Sequence, residues 1–394
     1  MTLVFVLCVV QLAVVVVADD PPGHMQPIGS HMPPMPIEER DDLPNPIEFY
    51  DNYVKPGIPV VFKGAAKKFP SYYNWTNDTY LREMYGAWDI VAEMGKKENR
   101  DFPVQKMNFS SFLSIYEKED LYMVHNMARP HPITGDVFLP KSLLCRDFLE
   151  SLNLIMMWFS SGGTKSVLHN DFVENINCLF DGTKRFVLID RKHKDLVPID
   201  NPDRGFSSVD VEKVDMHKYP TLGKLTWYIA NMDTGDCFYI PYGWFHHVSS
   251  SRTRNLAINI WWRSFNQFDY KEECEKNLAD IPEYDTLFNH PVKSGVKIHQ
   301  LVFRDAYTDS KPNATYIEVA TAVHPLFNKD ETKENKRVYF KKLKYFFFNA
   351  DTNKDKYLTK EEIESVDLET IKDFLTEDAV KQMEKKYTKV NDEL

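Results

Sequence analysis

The sequence points to a mainly β chain with helices at both ends, an α+β protein centred on a double-stranded β-helix of the jelly-roll kind. Three observations carry this. Between about Ile155 and Trp262, short segments rich in β-branched and aromatic residues alternate with Gly, Asp and Pro turn signals. The stretches on either side show helical spacing of apolar residues. A hydrophobic content of 43% and an aromatic content of 13% over 394 residues supply a packed core for one large domain and a smaller one.

Taken in order, Ile47–Val54 has helical spacing, Ile58–Phe62 is a short apolar strand closed by Lys63-Gly64, and Asn77–Met84 reads as a capped helix. Ile90–Met94 is expected as a strand, Ser110–Tyr116 as a helix, and Leu121–Val124 as a strand entering the barrel. The barrel strands are expected at Ile155–Phe159, Cys178–Phe180, Arg185–Ile189, Leu225–Ile229, Cys237–Ile240 and Leu256–Trp262. Ser161-Gly-Gly, Asp181-Gly182, Asp233-Thr-Gly-Asp236 and Pro241-Tyr-Gly243 separate them. Many short strands closed on themselves give a jelly roll.

The termini carry an address. Leu3–Val17 is an apolar run broken by Gln11, and Val16-Val17-Ala18 is a small-residue cleavage signature before Asp19-Asp20. Its length suits a signal-peptide core rather than a membrane span, although no Lys or Arg precedes it. Residues 1–18 are therefore read as a signal peptide, and no stable membrane span is expected after its cleavage. Residues 19–46 hold Pro21, Pro22, Pro27, Pro33, Pro34, Pro36, Pro44 and Pro46, and read as an extended linker. The β-rich domain is assigned to 47–265, a helical extension to 266–335, a cation-binding region to 336–390, and a retrieval tail to 391–394. That tail, Asn391-Asp-Glu-Leu394, resembles the KDEL retrieval signal with its first position altered. With Asn-x-Ser/Thr sequons at Asn74, Asn77, Asn108 and Asn313, it favours the endoplasmic reticulum lumen, secretion being the alternative. A net charge of −10 and a pI near 5.7, with no basic cluster, exclude a nucleic-acid surface. Cys8 leaves with the signal segment; the remaining four show no zinc spacing, and one or two disulfides stay open. Cys178 and Cys237 read as small buried residues of barrel strands.

The chemistry centres on Ser166–Arg185. On an extended strand His169 and Asp171 aim to one face, and one imidazole with one carboxylate is two thirds of the facial triad that holds non-haem Fe(II). A His-x-Asp pair alone is usually an exposed polar turn. Here Lys184 follows His169 by fifteen residues, and a distant Trp-Phe-His246-His247 offers the third ligand. That combination resembles the JmjC, or cupin-like, family of Fe(II)- and 2-oxoglutarate-dependent oxygenases over roughly Pro44–Phe265. Within it, the chain is most similar to the branch containing the asparaginyl hydroxylase of the hypoxia-inducible factor. The resemblance implies that His169, Asp171 and His246 hold iron while His247 faces away, and that Lys184 anchors the distal carboxylate of 2-oxoglutarate. It places the hydroxyls of Ser166 and Tyr122 and the inward asparagines Asn175 and Asn259 near that cosubstrate, with Trp261 as a wall. The implied reaction hydroxylates a side chain of a protein or peptide in the secretory pathway, a location that removes chromatin as a substrate. The competing class is a non-catalytic lumenal cupin-fold calcium-binding or interaction protein.

A second site is expected near the C-terminus. Asp351, Asn353, Asp355, Tyr357 (through its backbone), Thr359 and Glu362 fit positions 1, 3, 5, 7, 9 and 12 of an EF-hand Ca2+ loop. Phe340, Leu343 and Phe347 mark a helix before it, Ile363 and Val366 one after it. Lys356 stands where the loop normally has glycine, and no partner hand is evident. Whether two copies dimerise through helices expected at Tyr270–Leu278 and Val296–Phe303 stays open.

Overall fold

Period-two alternation in the central strands sends one set of side chains into the space between two facing sheets and the other set outward. The computed structural model describes residues 19–96, 104–127, 132–200, 205–265, 267–290, 292, 313–317, 343–344, 347, 350–359 and 362. The signal segment, Phe340, Ile363, Val366, the Val296–Phe303 helix and the Asn391–Leu394 tail lie outside the described residues.

The lead-in contains β1 (Met35–Pro36), β2 (Glu38–Arg40), α1 (Pro46–Phe49) running on as a π-turn over Tyr50–Val54, β3 (Val60–Phe62), α2 (Pro70–Asn74) and α3 (Asp78–Tyr85). It continues through β4 (Asp89–Met94), β5 (Val104–Asn108), α4 (Phe109–Ile115), β6 (Leu121–Asn126), β7 (Phe138–Pro140) and α5 (Arg146–Ser151). Asparagines start three of these helices. Asn45 accepts the Ile47 and Glu48 amides at 3.1 and 3.0 Å ahead of Pro46, and Asn77 and Asn108 cap α3 and α4 through Thr79 and Ser111, each at 2.8 Å. Two of the sequon asparagines thus serve as N-caps.

The barrel strands are β8 (Leu152–Ser160), β9 (Leu168–Asn170), β10 (Glu174–Asp181), β11 (Lys184–Ile189), β12 (Phe206–Ser207), β13 (Tyr228–Met232), β14 (Cys237–Ile240), β15 (Phe245–Ser250) and β16 (Asn255–Trp262). After them come α6 (Lys271–Asn277), β17 (Tyr284–Thr286), β18 (Asn313–Thr315) and β19 (Tyr357–Thr359). One sheet has the order β1-β13-β11-β15-β9-β12, the other β2-β3-β14-β10-β16-β8-β6-β4-β5. Their facing sides hold Leu179, Phe186, Leu188, Ala230, Met232, Phe238, Ile240 and Ala257. The outer side of the nine-stranded sheet packs Phe62, Phe159, Tyr239 and Trp262 against Phe49, Trp75, Phe109, Phe112 and Phe148 of the helical lead-in. Phe49 meets Tyr239 edge-on at 5.1 Å between ring centroids and lies 5.8 Å from Phe148, and Arg254 pairs with Asp78 of α3 at 2.8 Å, so aromatic burial and a charged bridge both hold the lead-in to the barrel. Among the described residues no helix is long and apolar enough to cross a membrane.

Three readings change. The proline-rich segment is extended but not free. Its Met35–Pro36 pairs in parallel with Tyr228–Ile229, and Glu38–Arg40 pairs with Val60–Phe62, so it edges both sheets. Ile28 and Leu43 from the same segment are buried. Proline lacks the ladder donor and is tolerated at an edge, which is where Pro36 lies. The cysteines also differ. Cys178 and Cys237 are buried and stand opposite one another on β10 and β14, where they form a disulfide. Cys145 and Cys274 form a second one, fastening α6 to the start of α5. Finally, β13 begins three residues beyond the expected Leu225, because Leu222–Lys224 takes a 3-10 turn ahead of it.

Candidate metal centre

His169 on β9 and His246 on β15 stand directly opposite each other in the antiparallel ladder, with ring centroids 4.2 Å apart. Asp171 lies just past the end of β9, and its main-chain oxygen accepts the Gly243 amide at 2.9 Å. Asp171 Oδ1 is 4.0 Å from His169 Nε2, and Oδ2 is 3.6 Å from His246 Nε2. One ligand atom from each residue lies within 4.8 Å of the others, and all three side chains are buried. The imidazoles are oriented by their other nitrogens. Nδ1–H of His169 donates to Val167 O at 2.9 Å and that of His246 to Trp244 O at 3.0 Å. Both Nε2 lone pairs are thereby left for the centre, the tautomer a metal requires. His247 turns to the other face, where it donates to Ser166 O at 2.8 Å and burial pushes its imidazole down to about 4.

The facing sides of the sheets continue this centre inward. Lys184, Phe186 and Leu188 share one side of β11, and Leu188 is the residue opposite His246. Lys184 therefore begins four residues, about 13 Å, along the barrel from His246 and His169. It is 5% exposed. Across the interior, β10 and β16 present Asn175, Asn177, Asn259 and Trp261, while β6 and β8 present Tyr122 and Trp158 with ring centroids 5.6 Å apart. Asn177 Nδ2 donates to Asn259 Oδ1. Asn175 Oδ1, Asn177 Oδ1, Trp158 Nε1 and Trp261 Nε1 are buried and have no partner among the described residues. Buried polar atoms are normally paired, so an interior with a lysine and the two unpartnered indole N–H donors of Trp158 and Trp261 suits a small polar anion better than a dry core. The donor set thus fits Fe(II) at one end and a dicarboxylate along the barrel. Ser166 is more committed: its hydroxyl accepts the Val248 amide at 2.8 Å and donates to Val167 O at 3.0 Å.

Sequence reasoning missed Asn177, Trp158 and Glu174. Asn177 was open to discovery, being two residues on from Asn175 and so on its face. Glu174 is on the outer face of β10, where Tyr239, the Tyr242 amide and Ser264 donate to its carboxylate at 2.6, 2.9 and 2.8 Å. Burial pushes the pKa of its carboxyl up despite these donors. It braces the Pro241–Gly243 turn that leads into His246.

The C-terminal loop places its six residues as a turn around two buried carboxylates. Asp351 accepts the amides of Asp355 (3.1 Å) and Lys356 (2.9 Å), and Glu362 accepts those of Thr352 (2.9 Å) and Thr359 (3.1 Å). Asn353 Oδ1 takes the Asp355 amide at 2.9 Å, and Asp355 Oδ1 the Tyr357 amide at 2.8 Å. Lys356 adopts φ +71°, the left-handed conformation for which glycine is favoured. Leu358, fully buried, stands opposite the buried Ala314 in the β18–β19 ladder. That short ladder gives the loop a backbone partner that the sequence reading did not find.

Comparison with known proteins places a cupin-like domain over residues 46–268. The chain is 25% identical over 235 residues to Jumonji C domain-containing protein 5 of Drosophila melanogaster, covering 56% of this chain and 58% of that one. It is 28% identical over 226 residues to lysine-specific demethylase JMJ30 of Arabidopsis thaliana, covering 54% and 52%. It is 21% identical over 269 residues to the bifunctional peptidase and (3S)-lysyl hydroxylase JMJD7 of Homo sapiens, covering 58% and 84%. The chain spans about half the length of the first two relatives.

Proposed function

The chain belongs to the cupin-like domain family, and on that premise we propose that it is an Fe(II)- and 2-oxoglutarate-dependent dioxygenase hydroxylating a protein or peptide side chain in the secretory pathway. The observation that carries this reading is the convergence of His169, Asp171 and His246 at the mouth of an interior holding a buried lysine and orphaned polar atoms. Two of its relatives are named for acting on lysine, by demethylation or by hydroxylation. Similarity to the asparaginyl hydroxylase branch makes asparagine the other candidate residue.

Each part of the chain has a task in this reaction. His169, Asp171 and His246 would hold iron on one side, leaving the opposite side for cosubstrate and substrate. Bound iron would supply activation of O2 coupled to oxidative decarboxylation of 2-oxoglutarate to succinate. Lys184 would pair with the distal carboxylate of the cosubstrate, and Tyr122, Asn175, Asn177, Asn259 and Trp158 would orient it by hydrogen bonds. Phe186, Leu188, Met232 and Phe238 keep water from the interior, which strengthens the lysine–carboxylate attraction. Glu174 holds the turn before His246 through the Tyr242 amide, and the Val167 and Trp244 carbonyls hold the two imidazoles in orientation. The two disulfides support an oxidising compartment, in line with the lumenal address.

The test is succinate formation from 2-oxoglutarate by the chain from Asp19 onward with Fe(II) and ascorbate, followed by mass spectrometry of peptides carrying lysine or asparagine. A +16 Da product on one residue type identifies it. A protein that binds no Fe(II) and forms no succinate turns the reading to a non-catalytic binding module.

The second part of the proposal is that Asp351, Asn353, Asp355, Tyr357, Thr359 and Glu362 bind Ca2+. Glu362→Gln is expected to weaken Ca2+ binding by at least about tenfold, roughly 1.4 kcal/mol, in isothermal titration of the full chain. Equal affinity in the variant would remove the site. Turnover measured with and without Ca2+ separates a regulatory loop from a structural one.

A further inference from the structure

A second cluster of metal-ligating side chains lies away from the barrel mouth, where the N-terminal segment crosses the loop between β12 and β13. Asp20, His24 and His217 each offer one ligand atom within 4.8 Å of the others. Asp20 Oδ1 is 2.9 Å from His217 Nε2, and the two imidazole centroids are 4.5 Å apart at 65°. Asp215 is beside them, with Oδ1 3.6 Å from His24 Nδ1. The backbone holds this geometry. Met25 donates to Val214 O at 2.7 Å and Val214 to Gln26 O at 2.9 Å, while the Asp215 carboxylate accepts the His217 and Lys218 amides at 3.0 and 3.1 Å. The cluster is therefore formed by two segments fixed against each other, 197 residues apart between Asp20 and His217.

We propose that Asp20, His24 and His217 form a second, surface metal site for a divalent transition cation such as Zn2+, clamping the N-terminal segment to the barrel. Two imidazoles and one carboxylate are the donor types such an ion takes, and solvent supplies its remaining positions. A hard ion such as Ca2+ prefers an all-oxygen set, so this site and the C-terminal loop select different metals. Asp215 gives the site a second negative charge close by, offsetting both charges of the cation. His24 Nδ1 accepts the Met216 amide at 3.2 Å, so the ion either enters at Nε2 or displaces that long hydrogen bond. The inference does not rest on the barrel's activity.

The experiment uses the full chain from Asp19 carrying His169→Ala and Asp171→Ala, which silences the barrel centre, in buffer with excess Ca2+ to fill the C-terminal loop. Calorimetric titration with Zn2+ is expected to show one equivalent bound, and thermal unfolding a higher Tm with Zn2+ than without. Adding His24→Ala and His217→Ala should abolish both effects. His217 is exposed and His24 partly buried, so circular dichroism of that variant is compared with its parent; His24→Gln and His217→Gln, which keep polar side chains, serve as the second pair. Zn2+ binding that survives both pairs, or a parent that binds none, overturns the proposal.

Discussion

Asp171→Ala is expected to abolish Fe(II)-dependent succinate formation while leaving the fold intact. Asp171 is the one anionic side chain of the three proposed ligands, and its two oxygens lie 4.0 and 3.6 Å from the two Nε2 atoms. Losing an outer partner of a metal ligand costs roughly 10–100-fold in affinity or activity; losing the charged ligand itself should cost at least about a thousandfold. Stability should hold or rise, since a buried carboxylate bears a desolvation penalty that alanine lacks. The separation of the two effects is the useful feature. His169→Ala should behave alike in turnover, whereas His247→Ala should spare iron binding, because His247 faces the opposite side and bonds only to the Ser166 carbonyl among the described residues. Iron bound as tightly in Asp171→Ala as in wild type would dissociate the triad from the metal.

What the sequence disclosed follows from the range of the physics involved. Local rules fixed most elements to within a residue or two: Cys237–Ile240 came out as expected, and Asn77 caps its helix as its side chain and position required. The triad was readable because His169 and Asp171 are close in sequence and His246 carries a motif around it. The strands bearing both histidines were nevertheless not anticipated, since Leu168–Asn170 is too short to show a period and Phe245–Ser250 is half polar. Pairings between distant segments stayed hidden. Nothing near Cys178 announces Cys237, because the disulfide depends on the register of β10 against β14. Nothing in Pro33–Pro36 distinguishes a solvated polyproline arm from an edge strand, since both use extended φ and ψ; only the partner Tyr228–Ile229 decides. Glu174 was missed for the same reason. Its function is read from Tyr239, Tyr242 and Ser264, which lie 65 or more residues away.

Lys184→Ala carries the other large expectation, and it separates cosubstrate binding from metal binding. The lysine is buried beside Phe186 and Leu188, on the same side of β11 and about 13 Å from the residue facing His246. A buried ammonium is costly unless anionic or polar partners accompany it, and in the proposed reading the 2-oxoglutarate carboxylate is one of them. Truncating one member of a buried charge pair costs about 2–5 kcal/mol, so the KM for 2-oxoglutarate should rise by roughly 30-fold to several-thousand-fold. Fe(II) affinity should change little, because His169, Asp171 and His246 remain in place. Lys184→Met, which keeps the length without the charge, should fail as alanine does; Lys184→Arg should retain more turnover than either. A raised KM in both neutral variants with unchanged iron binding assigns Lys184 to the distal carboxylate. If the KM is unaltered while thermal stability falls, the lysine serves the fold, and the anion at the far end of the barrel has to be held by the Asn177–Asn259 pair and the Trp158 indole instead.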